Sequence, residues 1–176
     1  MRKHNGMRPQ DVSILLKIIS LGNQPWQMAG LSNELYISIS EVSESLNRSQ
    51  LAGLIDYNKK IVNRQHLMEF LEYGVRYVFP QKPGSMVRGI ATAHSHPLMK
   101  KKFVSEVNYV WPDNEGELIG LIIEPFYPKQ VKAVKSDTLF YKLLTLVDVI
   151  RVGKVREIEY AIKELKNYIL HEPSYK

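Results

Sequence analysis

LYISISEVSESLNRSQLAGLI, residues Leu35 to Ile55, carries the clearest pattern in the chain. Ser38 or Ser40 is a candidate N-cap, and Val42, Leu46, Leu51 and Leu54 continue one apolar face at helical spacing. Gly53 fits the stop of that helix. Leu35, Ile37, Val42 and Leu46 are the positions that must wedge two helices across a short turn. Ser38, Ser40, Ser43, Asn47 and Arg48 are then left as a small or polar outer face.

Upstream, QMAGLSNEL (Gln27 to Leu35) supplies about two helical turns with Met28, Leu31 and Leu35 aligned. Before it, MRPQDVSILLKIISLG reads as a core helix. Pro9 suits its first position, Asp11 its first turn and Gly22 its end, and Val12, Leu15, Leu16 and Ile19 form the apolar stripe. Downstream, DYNKKIVN is long enough only for a tight turn or small hairpin, and one further helix is predicted from roughly Arg64 to Val78 with Leu67, Phe70, Leu71, Val75 and Val78 inward.

With those neighbours in place, Leu31 to Ile55 resembles the helix-turn-helix of bacterial winged-helix regulators of the MarR-like kind. The family commonly reads L-A-x-x-L-G-I-S-x-S-x-V-S-R-x-L-x-R-L-x-x-A-G-L-I. This chain matches at Leu31, Leu35, Ile37, Ser38, Ser40, Val42, Ser43, Leu46, Arg48, Ala52, Gly53, Leu54 and Ile55. Three departures stand out. Tyr36 occupies the usual turn glycine, which predicts a turn conformation that a bulky residue tolerates. Ser32 replaces a small alanine. Glu44 stands where many relatives have an arginine facing phosphate, and Glu41 adds a second carboxylate nearby.

The resemblance implies a helix at the DNA major groove. Ser38, Ser40 and Ser43 would then contact phosphate or base edges, Asn47 an adenine edge, and Arg48 phosphate or guanine. Lys59 and Lys60 would act as a short wing, and Lys100, Lys101 and Lys102 as a phosphate-contacting arm.

Composition bounds the rest. At 176 residues with 44 % apolar content the chain can bury a real core, and its net charge of +6 is compatible with a polyanionic partner. The excess sits N-terminal: Met1 to Pro112 holds 14 Lys/Arg against 8 Asp/Glu, whereas Asp113 to Lys176 holds 10 of each. There is no cysteine, hence no disulfide or thiol chemistry. Neither a membrane-spanning run nor an apolar leader segment is evident, so a cytoplasmic protein without membrane contact is expected.

From Phe79 to Val110 no period is sustained among Pro80, Pro83, Gly84, Gly89 and Pro97, and a long loop is predicted. VNYVWPDNEGELIGLIIEPFYP reads as two strands around the turn PDNEG, with Gly120 as a bulge. Two amphipathic helices close the chain, separated near Gly153, with Ser136 or Asp137 as cap. Their apolar residues, Leu139, Phe140, Leu143, Leu144, Val147 and Ile150 on the first, exceed what a helical hairpin buries alone. They serve either to pack on the N-terminal half or to form a homodimer.

The expected class is mainly α with a small β component (α+β). Residues 1–78 form a winged helix-turn-helix domain with its following helix, and residues 79–176 a mixed segment with a long loop, a short β-hairpin and two C-terminal helices. The expected function is sequence-specific binding of double-stranded DNA by a transcriptional regulator, with no cofactor, metal or catalytic residue. Two alternatives come from particular residues. Glu41 and Glu44 suit a protein-interaction module, the regulatory or antitoxin-like half of a two-protein system. His94 and His96 in TAHSHP have the spacing of two metal ligands on a strand, as a metal-dependent enzyme would need, but lack a third.

Overall fold

The computed structural model describes residues 5–171. The protein is α+β, as expected: helices surround a three-stranded sheet. Helix α1 (Pro9–Ser20) begins where the Arg8 N–H donates to the Asp11 carboxylate at 2.8 Å, with Pro9 in the first turn. Its Val12, Ile14, Leu15 and Leu16 are completely buried. Helices α2 (Met28–Leu35) and α3 (Ile39–Leu51) follow, both resting on α1. The Ser38 hydroxyl caps α3 by accepting from the Glu41 N–H at 3.2 Å.

Between α2 and α3, Tyr36 has φ 57° and ψ 37°. The turn therefore keeps the left-handed conformation that favours glycine, and the expectation of a conformation suited to a bulky residue is corrected. Two contacts hold it there. Ser32 Oγ donates to the Ile37 carbonyl at 2.6 Å, and the Lys132 ammonium lies 4.1 Å from the centre of the Tyr36 ring.

After α3 the chain makes a minimal hairpin held by the antiparallel bridge Ile55–Val62. Asp56 Oδ1 accepts from the Lys60 and Ile61 N–H groups at 2.6 and 2.8 Å, which fixes its tip. The single helix expected over 64–78 is two, α4 (Arg64–Tyr73) and the one-turn α5 (Val75–Val78), broken at Gly74.

The region expected to be a long loop contains β1 (Met86–Ala91), a 3-10 turn at Ala93–Ser95 and the one-turn α6 (Pro97–Lys100). Strands β2 (Tyr109–Pro112) and β3 (Leu118–Ile122) are present, but the predicted hairpin is not, because they run parallel to each other. β1 is antiparallel to both, pairing through 86–89 with β3 and through 89–91 with β2, so the three strands close into a ring. Gly89 belongs to both ladders. A Cβ there would lie 2.0 Å from the Trp111 carbonyl oxygen, and one on Gly116 would lie 2.2 Å from the Gly89 backbone. The absence of side chains at these two positions lets residues 113–117 cross close over the middle of β1 at Gly89 instead of turning back.

Helix α7 (Gln130–Val134) leads to α8 (Thr138–Val152), capped by Asp137, whose carboxylate accepts from the Phe140 N–H at 2.8 Å. The apolar surface expected to be surplus on α8 is taken up within the chain: Phe140, Leu143, Leu144, Leu146, Val147 and Val149 are all fully buried, against α1, α4, α5, α7 and α9. Helix α9 (Val155–Leu170) packs on α8 and α4. Buried apolar side chains from Val12 to Ile169 form one cluster.

A wholly buried carboxylate ties the sheet to α8. Asp148 accepts from Thr92 Oγ1 at 2.8 Å, Trp111 Nε1 at 2.7 Å and Arg151 at 2.9 Å. Burial pushes its carboxyl up, against the opposing pull of Arg151 and the other donors. Arg151 in turn donates to the Phe79 carbonyl at 2.9 Å, fixing the strand entry beside α8. Among the described residues no helix is long and apolar enough to cross a membrane.

Candidate nucleic-acid interface

Helix α3 turns Val42, Ser45, Leu46, Arg48 and Ser49 inward and leaves Ser38, Ile39, Ser40 and Leu51 exposed, with Ser43, Glu44, Asn47 and Gln50 at intermediate depth. This divides the predicted contact residues. Ser40, Ser43 and Asn47 follow one another round the open side at helical spacing. Ser38 stands at the helix start, its hydroxyl engaged by the Glu41 N–H and 3.1 Å from Ser40 Oγ.

Arg48 is elsewhere. Its Nε and Nη2 donate to the two carboxylate oxygens of Asp11 at 2.8 and 2.7 Å, and the pair is buried between α3 and α1. The hydrogen bonds from Arg48 to Asp11 hold its guanidinium above its ordinary pKa. A fork bound at both prongs in the interior is not a group facing solvent, so the expected contact of Arg48 with phosphate or guanine is corrected to a tie between helices.

The two wing lysines are also engaged. Lys59, itself at φ 56°, donates from Nζ to Asn47 Oδ1 and so fastens the hairpin to α3. Because the carbonyl side of the Asn47 amide is held, its NH2 is the end left to face outward. The Lys60 ammonium lies 4.5 Å from the centre of the Trp26 ring. The hairpin tip is instead offered by Tyr57, 87 % exposed, and the exposed Asn58. The sequence reading passed over both, and the Asp-Tyr-Asn-Lys-Lys turn composition was the available signal.

A groove of about 890 Å³ runs along α3, lined by Arg8, Glu41, Glu44, Asn47, Arg48 and Leu51 among others. Glu41 and Glu44 both line it. Glu41 accepts from Gln10 Nε2 at 2.8 Å and lies 3.9 Å from an Arg8 guanidinium nitrogen, so its charge is partly countered. Arg8, half-exposed at the mouth of the groove, was not singled out from the sequence.

The lysine run is not part of this surface. Lys100 ends α6 and Lys101 and Lys102 follow it, all three exposed, and the Lys102 ammonium lies 5.1 Å from the centre of the Tyr160 ring on α9. Nor do the two histidines form a metal site. His94 Nε2 is 2.7 Å from the Val107 carbonyl, with its ring stacked 4.2 Å from that of Tyr109. His96 Nδ1 accepts from the Leu98 N–H at 3.2 Å, and burial with Lys142 nearby pulls its pKa down to about 4. Among the described residues no three His, Asp or Glu side chains come together in a group able to hold a metal. No family model, curated protein or solved structure matches the chain.

Proposed function

We propose that α1 to α4 with the 55–62 hairpin act as a winged helix-turn-helix that binds double-stranded DNA, in a MarR-like regulator with no catalytic role. Helix α3 enters the major groove. Ser40 and Ser43 contact phosphate or base edges, and the outward NH2 of Asn47 donates to an acceptor on a base edge. Tyr57, Asn58 and Lys60 reach the flanking backbone from the hairpin.

The single observation that carries this reading is the bond from Lys59 to Asn47 Oδ1. It orients an amide on the open face of α3 and locks the hairpin beside it, two parts that a groove-reading unit needs held in register. Two copies of the chain would present their α3 helices to half-sites about one turn, ~34 Å, apart. Repeated selection from a randomised duplex pool tests the proposal. It should enrich one short motif with wild type and fail to enrich it with Asn47→Ala.

A second reading has its own observation. Ile39 and Leu51, at opposite ends of α3, are 52 % and 69 % exposed, with Glu41 and Glu44 between them on the same helix. That pattern suits a basic amphipathic segment of a protein partner. Recovery of one protein at constant ratio, with no motif enriched from the duplex pool, would select this reading over the first.

A further inference from the structure

On the outer face of α9, Arg156, Tyr160, Lys163 and Asn167 recur at i, i+4, i+7 and i+11, which aligns them in one stripe. Arg156 and Lys163 are exposed and stand about 10 Å apart along the axis. Onto this stripe the turn after α6 folds back: Phe103 meets the Tyr160 ring edge-on at 5.8 Å, and the Lys102 ammonium lies over the same ring. Lys100 and Lys101, exposed, precede them. Two turns further along α9, Lys142 repeats the arrangement, with its ammonium 5.2 Å from the Tyr168 ring centre and 3.1 Å from its hydroxyl.

None of Lys100, Lys101, Lys102, Arg156 and Lys163 forms an ion pair with a described carboxylate. The acidic groups in the neighbourhood are Glu157, Glu159 and Glu164 on α9 and Glu106 in the loop; Glu157 is buried and accepts from the Lys154 N–H, so five exposed cations stand beside three other carboxylates. Like charges gathered without partners raise the local potential, and packing of Lys102 on an aromatic ring restricts where its charge can go.

We infer that the 100–103 turn and the outer face of α9 form a second nucleic-acid surface, separate from α3, that holds a phosphodiester backbone without reading its bases. The separation follows from the packing order. α9 rests on α8 and α4, whereas α3 rests on α1 and α2. The chemistry is that of backbone binding: ammonium groups are point charges that release counterions from phosphates whatever the sequence. A lipid surface is the poorer match. Phe103 is spent on Tyr160, which leaves three valines, Val104, Val107 and Val155, as the exposed apolar side chains, with little area to bury. DNA seated here is a second segment or the same one bent round the protein.

This inference goes beyond the α3 proposal and does not depend on it. The test is anisotropy of the full chain with a random-sequence 30-base-pair duplex across a salt series from 50 to 200 mM. The variant carries Lys100→Ala, Lys101→Ala, Lys102→Ala, Arg156→Ala and Lys163→Ala together, with a second variant in which the four lysines become arginine. The alanine variant should lose most random-duplex binding, with the slope of log K against log salt shallower by about 4 to 5, while the arginine variant keeps both. Unchanged binding by the alanine variant overturns the inference. So does wild type that ignores duplex at 50 mM salt, or that binds anionic phospholipid vesicles through these residues instead. Failure of the α3 proposal reads out separately, as absence of an enriched motif.

Discussion

Arg48 and Asp11, 37 positions apart, form a two-pronged ion pair that is buried between α3 and α1. Asp11 also accepts from the Arg8 N–H, so one carboxylate both starts α1 and sets α3 against it. Removing the guanidinium leaves a buried carboxylate with a single donor. Arg48→Ala should therefore lower the unfolding free energy by about 3–5 kcal/mol, and Arg48→Lys by less, because it keeps a positive charge beside Asp11, although an ammonium cannot fork. Urea unfolding measures this. A surface-like loss below 0.5 kcal/mol would show that the pair does not form.

His96 predicts a pH dependence. Its folded pKa of about 4 lies below the 6.5 of a free histidine, so between those values the unfolded chain binds the extra proton. Stability should accordingly fall as pH drops from about 6.5 to about 4, by up to roughly 3 kcal/mol. The same slope should be absent in His96→Asn. An NMR titration placing His96 near 6.5 in the folded protein would refute this.

Gly89→Ala should be among the most damaging small substitutions in the chain, since its Cβ would lie 2.0 Å from a backbone oxygen of β2. No rotamer change relieves a backbone clash, so the strand ring must open. The expected cost is above about 3 kcal/mol, whereas Gly30→Ala, which meets no atom within 4 Å, should not destabilise the protein. Thermal unfolding of the two variants side by side gives the comparison.

At Tyr36 the backbone and the side chain disagree. The left-handed conformation costs a non-glycine residue about 1–2 kcal/mol, and the Lys132 contact returns part of that. Tyr36→Ala keeps the strain and loses the contact, while Tyr36→Gly loses both. The glycine variant should thus be more stable than the alanine variant by about 1 kcal/mol. The reverse order would mean that the turn is not left-handed.

What the sequence discloses here depends on range. The ends of α1 and the cap of α3 are written in neighbouring residues: Pro9, Asp11 and Ser38 act where their types predict. The same is true of Asp137. Arg48 looked outward because its partner lies on another helix and spacing along α3 cannot reveal it. The strand ring was hidden for a similar reason. β1 is six residues long, is interrupted by Gly89, and pairs half with each neighbour, so the alternation that marks a strand is never sustained. The surplus apolar surface of α8 was correctly seen in the sequence, but which helices would cover it was not.

The most direct test of the DNA-binding proposal is a titration of wild type and Asn47→Ala against the duplex enriched by selection, with unlabelled random duplex as competitor, at several salt concentrations. The account predicts competitor-resistant binding, with log K falling by about 0.9 per phosphate contact, and at least a tenfold weaker Asn47→Ala whose slope is unchanged. Equal affinity of the two proteins, or binding that the random duplex displaces as readily as the selected one, would contradict it.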